Sequence, residues 1–300
     1  MFEKLVIVGV GLLGGSLARD VKRLGLAKQV VGVCRSQATA DYALQEKLLD
    51  AVQPPAEAAA GADLIIIATP MQAMLPMLAQ LAPHLDPDTI VSDVGSVKQA
   101  LYEQLQTELP ELLTNFVLAH PIAGGEDAGV TASREGLFEN KHVIITPSSE
   151  VSAEKIASVE TLWQALGAQV RRMSLAEHDA IFARTSHLPH VVAYGLVNYL
   201  GRQPDSEQLF SLAAAGFYDF TRIASSNAEM WRDICITNQA QVLSAIEGLQ
   251  AELERLRLLI EQADQSALLA EFSAAKAARD SGLARRVQAQ AGTESSDSGN

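Results

Sequence analysis

From Leu5 to Leu17 the chain reads LVIVGVGLLGGSL, an apolar strand that runs through a glycine turn into a helix. The Gly9-x-Gly11-x-x-Gly14 spacing permits a tight turn and a close approach of backbone to a ligand. The free N–H groups and the positive end of the following helix then face a pyrophosphate. The segment predicts a bound dinucleotide, cradled by Gly9, Gly11, Leu12, Leu13 and Gly14.

Three hundred residues, 48% of them hydrophobic, suffice for two domains with proper cores. A net charge of −13 argues against a nucleic-acid or anionic-membrane surface, so an anionic ligand must meet locally placed cations or helix termini. The two cysteines, Cys34 and Cys235, show neither pairing nor metal spacing, which suits a reducing cytoplasm. No apolar run reaches the length of a membrane span, and the start MFEKLVIVG lacks a signal core.

Short β-branched runs recur at 5–8, 29–33, 64–68, 89–92, 116–119, 142–146 and 168–171, separated mostly by helical stretches rich in alanine and leucine. This alternation predicts an α/β fold: an N-terminal Rossmann-type, doubly wound, mostly parallel sheet over residues 1–173. At Ser174-x-x-Glu177 a capping-box pattern opens a second, all-helical domain over residues 174–285. Its helices are expected at 175–201, 206–214, 227–262 and 266–283. The long run at 227–262 keeps apolar residues at helical spacing throughout (Ile234, Val242, Ile246, Leu249, Leu253, Leu256, Leu259), and a homodimer interface would bury them. The polar tail 286–300 is expected to be disordered.

In the cofactor half, the second strand closes without the usual acidic residue and continues into Arg35 and Ser36. A guanidinium and a hydroxyl there favour NADP over NAD, because they suit a 2′-phosphate that a carboxylate would repel. Thr69 and Pro70 after the third long strand, and Gly95 in the loop DVGSVK, belong to the carboxyl edge where such sheets bind ligands. His120 follows the run 116–119 in HPIAGGE, at a strand end, and its near-neutral pKa suits acceptance of a substrate hydroxyl proton. Glu126 either orients a histidine, contacts substrate or is solvated. His187 and His190 of SHLPH share one helical face. No cysteine or carboxylate pattern completes a metal site, so none is expected. Arg222 stands just beyond a glycine turn in GFYDFTR, suited to a carboxylate or to an ion pair with Asp219.

Taken in order, GVGLLGGSLA, DVGSVK, HPIAGGE, SHLPH, GFYDFTRIA and MWRD resemble the prephenate/arogenate (cyclohexadienyl) dehydrogenase family of tyrosine biosynthesis, over about residues 3–262. The resemblance implies oxidative decarboxylation of prephenate or arogenate, with hydride transfer to NADP or NAD. It casts His120 as the base at the C4 hydroxyl, supported by Ser96. It assigns Arg222 to a substrate carboxylate, His190 and, more loosely, His187 to substrate binding, Glu126 to the pocket entrance and Trp231 to a position supplied by the partner subunit. Gly125, where some relatives carry threonine, and Ala213–Ala215, where they are glycine-rich, depart from the pattern and leave prephenate against arogenate open. A β-hydroxyacid dehydrogenase is the nearest rival, but its interdomain lysine has no counterpart between Lys155 and Lys276. A noncatalytic NADP(H)-binding sensor would have no use for His120, Ser96 and Arg222 together.

Overall fold

The computed structural model describes residues 1–125 and 127–294. The first half runs β1 (Phe2–Val8), α1 (Leu12–Arg23), β2 (Ala27–Val33), α2 (Gln37–Gln45), β3 (Ala51–Val52), α3 (Pro55–Ala59), β4 (Leu64–Ile67), α4 (Met71–Leu81), β5 (Ile90–Asp93), α5 (Gln99–Glu108) and β6 (Phe116–Val117). All six strands are parallel, in the order β3-β2-β1-β4-β5-β6. Strand order reverses between β1 and β4, the switch point at which doubly wound sheets bind nucleotides. The central strands are apolar on both sides because both faces are covered. Leu5, Ile7, Leu64 and Ile66 join one core with Leu17 and Val21 of α1, while Val6, Val8, Ile65 and Ile67 join another with Leu78 of α4 and Leu101 of α5.

The run 116–119 does not form one strand. β6 pairs with β5, and the chain then changes sheet at Leu118 to form β7 (Ala119–Pro121), antiparallel to β8 (His142–Ile145). After α6 (Ala153–Ala165), β9 (Gln169–Arg172) extends this second sheet parallel to β8. At the switch, the Ala119 N–H donates to the Asp93 carboxylate at 3.0 Å instead of continuing the ladder beside β5. His120 therefore lies inside a strand opposite Ile144, not beyond a strand end as the sequence suggests.

Among the described residues only helices follow: α7 (Leu175–Phe182), a π-helical turn at Ala183–His187, α8 (Leu188–Gly201), α9 (Ser206–Leu212), α10 (Ala215–Thr221), α11 (Ala228–Thr237), α12 (Gln239–Glu261) and α13 (Gln265–Glu294). The Ser174 hydroxyl accepts the Glu177 N–H at 3.2 Å, capping α7 as its pattern predicts. Pro189 has no N–H to continue the ladder, and the wider π turn just before it absorbs the break. Three sequence expectations change here. Gly216 lies within α10 and is not a turn. The long run 227–262 breaks at Asn238, whose side chain donates to the Asp179 carbonyl at 3.0 Å, and Ile234 and Val242 are already buried within the single chain. α13 continues to Glu294, past the expected start of disorder at 286, through a stretch rich in the helix formers alanine and glutamine; residues 295–300 lie outside the described ones.

Two compact units result, Met1–Val242 and Leu243–Asn300. This division lies beyond the change of element type at residue 173, because α7 is stitched to the sheet half by the hydrogen bonds described below. In the second unit, Arg255 of α12 pairs with Glu271 of α13, and Leu253, Ile260, Leu269 and Phe272 are exposed. No helix among the described residues is long and apolar enough to cross a membrane.

Candidate active site

The glycine turn has the shape a dinucleotide requires. Gly9 adopts φ +92°, and a Cβ there would stand 2.8 Å from the Ala68 carbonyl, so the turn can lie against the end of β4 only without a side chain. A Cβ on Gly14 would fall 2.2 Å from the Gly9 carbonyl oxygen, which fixes the close packing of α1 under the turn. Gly11 faces open space and caps α1 without a side-chain hydrogen bond, leaving the amides at Leu12, Leu13 and Gly14 as the natural pyrophosphate donors. Beside this turn the Thr69 hydroxyl is buried without a partner among the described residues, and Pro70 N-caps α4. These residues fit a nicotinamide dinucleotide.

Arg35 is exposed at the end of β2. Ser36 is engaged locally. Its hydroxyl N-caps α2, accepting the Thr39 N–H at 3.2 Å and donating to the Thr39 hydroxyl at 2.9 Å, so Arg35 is the freer of the two for an added phosphate.

The loop that leaves β7 folds back onto the cradle helix. Arg134 N donates to the Ser16 hydroxyl at 3.0 Å, Arg19 Nε to the Ser133 hydroxyl at 3.0 Å, and Gly136 N to the buried Asp20 carboxylate. A side chain at Gly125 would meet Leu12 at 3.6 Å. The segment after His120 thus borders the start of α1. Glu126 lies outside the described residues.

His120 is half-buried, and its Nδ1 stands 2.8 Å from Nε2 of His178 on α7. His178 is fully buried, and its Nδ1 stands 2.7 Å from the Asp179 carboxylate. Phe182 closes the other side, with ring centroids 5.1 Å from His120 and 4.6 Å from His178. Burial pushes the His120 pKa well below the ordinary histidine value, and charge on His178, Lys98 or His187 would push the same way. Burial also lowers His178, against the raising pull of Asp179. Both rings are therefore neutral near pH 7, the state in which an imidazole accepts a proton.

Beneath the histidines lies a fully buried ion pair. Lys98 donates through Nζ to the Asp93 carboxylate and, at 2.7 Å, to the Ala119 carbonyl. Asp93 also accepts the Gly95 and Ala119 N–H groups, at 2.8 and 3.0 Å. The Lys98 and Gln99 N–H groups at the start of α5 donate to the two Asp179 oxygens, each at 2.9 Å. One carboxylate from α7 thereby satisfies orphan amides of a helix in the sheet half and holds His178. Ser96 is half-buried in this loop, and no hydrogen bond joins it to His120 among the described residues.

In the helical half, His190 stacks on Trp231 with ring centroids 3.5 Å apart and 19° between planes, and its Nδ1 lies 2.9 Å from the Ser186 carbonyl. Because a carbonyl only accepts, that nitrogen carries the proton and Nε2 is left as an acceptor. Trp231, expected from a partner subunit, is 8% exposed and packs with Val97 and Ile234 of its own chain. His187 lies deeper than His190. It is 1% exposed, contacts Asn238 at 3.3 Å and lies edge-on to Trp231, and burial lowers its pKa to about 4. Arg222 is exposed in the turn after α10, and the end of that turn is pinned to α8 by Tyr194 Oη, which donates to the Ser226 carbonyl at 2.7 Å.

Sequence reasoning missed Asp93, Lys98, His178, Asp179 and Asn238. The only available signal was their charge or polarity beside flagged motifs, as in DVGSVK and in the His-Asp pair just inside a capped helix.

Residues 17–172 match the family model of the prephenate dehydrogenase nucleotide-binding domain, and residues 174–274 match that of the prephenate dehydrogenase dimerization domain. Cyclohexadienyl dehydrogenase of Zymomonas mobilis is 34% identical over 93% of this chain and 96% of its own length. Prephenate dehydrogenase of Bacillus subtilis is 35% identical over 93% of this chain and 76% of its own. Among solved structures, prephenate dehydrogenase from A. aeolicus in complex with hydroxyphenyl propionate and NAD+ superposes with a TM-score of 0.88 at 33% identity, covering 94% of this chain and 98% of that one. Synechocystis arogenate dehydrogenase gives 0.79 at 31% identity, covering 93% and 99%. With both domain models matched in order and the glycine cradle and buried histidines in place, this chain belongs to the prephenate dehydrogenase family.

Proposed function

We propose that this protein oxidises prephenate or arogenate at C4 with loss of the ring carboxylate, giving 4-hydroxyphenylpyruvate or tyrosine. The observation that carries this reading is the His120 imidazole on β7, kept neutral by burial and contacted by His178, just before a loop that returns to the dinucleotide cradle. When bound in that cradle, a nicotinamide dinucleotide supplies the acceptor for the C4 hydride. His120 Nε2 accepts the proton of the C4 hydroxyl, which raises electron density at C4 as the C–H bond breaks. The bond from the ring to its carboxylate then breaks, its electron pair enters the ring, and CO2 leaves an aromatic product whose oxygen regains a proton. Ser96 supports the hydroxyl from the loop after β5. Arg222 clamps a substrate carboxylate, His190 presents its Nε2 lone pair to the substrate, and the bare Gly125 leaves room beside Leu12.

The sheet half to residue 173 holds the cofactor, and the helices from 174 bind substrate and form a homodimer. The exposed apolar residues of α12 and α13, together with the match to a dimerization domain, support that assembly, and the free cysteines Cys34 and Cys235 suit a reducing cytoplasm. Arg35 without an acidic neighbour supports NADP as the preferred cofactor. Absorbance at 340 nm, measured for both substrates against both cofactors, tests activity and preference together. Arg35→Ala should lower kcat/KM for NADP+ by about 10- to 100-fold, the worth of a hydrogen bond to a charged group, and leave NAD+ nearly unchanged. Equal losses with both cofactors would remove Arg35 from phosphate recognition, and no reduction with any pair would refute the activity.

A further inference from the structure

The Asp179, His178 and His120 side chains form one hydrogen-bonded line, and the line has only one proton arrangement when all three are at their neutral-pH charge. A carboxylate only accepts, so His178 carries its proton on Nδ1, facing Asp179 at 2.7 Å. Its Nε2 is then a lone pair and must accept from His120 Nδ1, 2.8 Å away. His120 therefore carries its proton on Nδ1 and bares Nε2. From this geometry we infer that His178 and Asp179 are positioning residues that fix the tautomer and orientation of His120, so that its Nε2 is the proton acceptor.

The inference rests on the proposed base role of His120 and adds what makes that ring a base. When the substrate hydroxyl proton moves to Nε2, His120 becomes a cation whose Nδ1–H already points down the line toward the Asp179 charge. No second proton has to move. This is the logic by which a buried carboxylate orients a catalytic imidazole, with a second imidazole interposed. The line also bridges the two halves of the first unit. His120 stands on β7, whereas His178 and Asp179 stand on α7, and the same Asp179 oxygens hold the Lys98 and Gln99 amides at the start of α5. Asp179 cannot rotate to another partner without freeing buried donors. The charged or titratable groups facing His120 from its neighbours are His178 and Asp179 on α7, Lys98 with Asp93 in the loop after β5, and His187 in the π turn.

Two substitutions separate a hydrogen-bonding role from a packing one. In His178→Gln the carboxamide oxygen can still accept near the position of Nε2. In His178→Phe the ring volume is kept and the acceptor is lost. Orientation of His120 by a hydrogen bond requires the glutamine variant to retain more activity, with kcat/KM for phenylalanine lower by about 10- to 100-fold, the scale of a misplaced catalytic group. A packing role gives the opposite order, since phenylalanine fills the site better. Thermal melting of both variants checks that they fold.

The tautomers can be read without substrate by two-bond 1H–15N spectra of the wild-type protein, whose six histidines are few enough to assign. His120 with the proton on Nδ1 and a bare Nε2 is the expected result. A proton on Nε2 of His120 at neutral pH overturns the inference, whatever the kinetics show. If the tautomers are as expected but no cofactor is reduced with prephenate or arogenate, the proposed reaction fails and the orienting line stands.

Discussion

His120→Asn should lower kcat by about 10²- to 10⁴-fold, the usual contribution of a positioned general base, while the affinity for the dinucleotide stays within a factor of about two. The side chain is a fair test of chemistry rather than of folding. An asparagine amide keeps a donor close to where Nδ1 lies, so the contact to His178 Nε2 at 2.8 Å has a replacement. What the variant lacks is Nε2, which makes no hydrogen bond among the described residues. The cradle glycines, Thr69 and Arg35 stand on other elements and are untouched. Steady-state rates at saturating substrate, paired with cofactor titration, separate the two effects. A variant with unchanged kcat removes His120 from proton transfer, and one with proportional loss of cofactor binding makes it a structural residue.

Lys98→Met should cost about 3–5 kcal/mol of stability, a loss on the order of 10 °C in Tm. The Nζ atom has no exposure and is shared between the Asp93 carboxylate and the Ala119 carbonyl. Burial alone lowers the pKa of Lys98, and Asp93 and Asp179 hold the charge against it. Without the ammonium, Asp93 keeps two amide donors but carries an uncompensated charge in the core. Removing both charges is a different matter: Lys98→Met combined with Asp93→Asn should recover much of the loss, because the penalty belongs to the unpaired ion. Activity should not recover in parallel. Ala119 precedes His120 and is held by this pair through both its N–H and its carbonyl, so the proposed base sits on a backbone that the ion pair places. Thermal denaturation of the two single variants and the double variant measures the coupling. A Lys98→Met protein that melts like the wild type would show the pair to be energetically idle.

The cradle was legible in the sequence because its requirement is local. Only glycine tolerates the φ of Gly9 or the 2.2 Å approach that a Cβ on Gly14 would make, so the spacing alone carries the geometry. The parallel sheet was legible for a similar reason, since strands covered on both faces must be apolar at every position. His120 was found by its motif, but its setting was not. At the switch of sheets at Leu118, Asp93 captures the Ala119 amide, a contact across 26 residues of chain that no local pattern encodes. His178 and Asp179 look like ordinary polar residues in the first turn of a capped helix, and their burial is decided by α5 docking above them. Lys98 and Asp93 were hidden likewise, because a charged residue reads as solvated until its partner is known. Trp231 and His187 show the reverse: a motif names them as site residues, and only the fold shows that Trp231 stacks on His190 and lies edge-on to His187 within one chain.

The most direct test of the central claim uses prephenate or arogenate carrying deuterium at C4. Turnover should place that deuterium in the reduced cofactor, with one CO2 released per cofactor reduced, as read by mass spectrometry of the cofactor and by trapped CO2. Reduced cofactor without the label, or CO2 release without reduction, would contradict the proposed removal of hydride from the carbon that bears the hydroxyl.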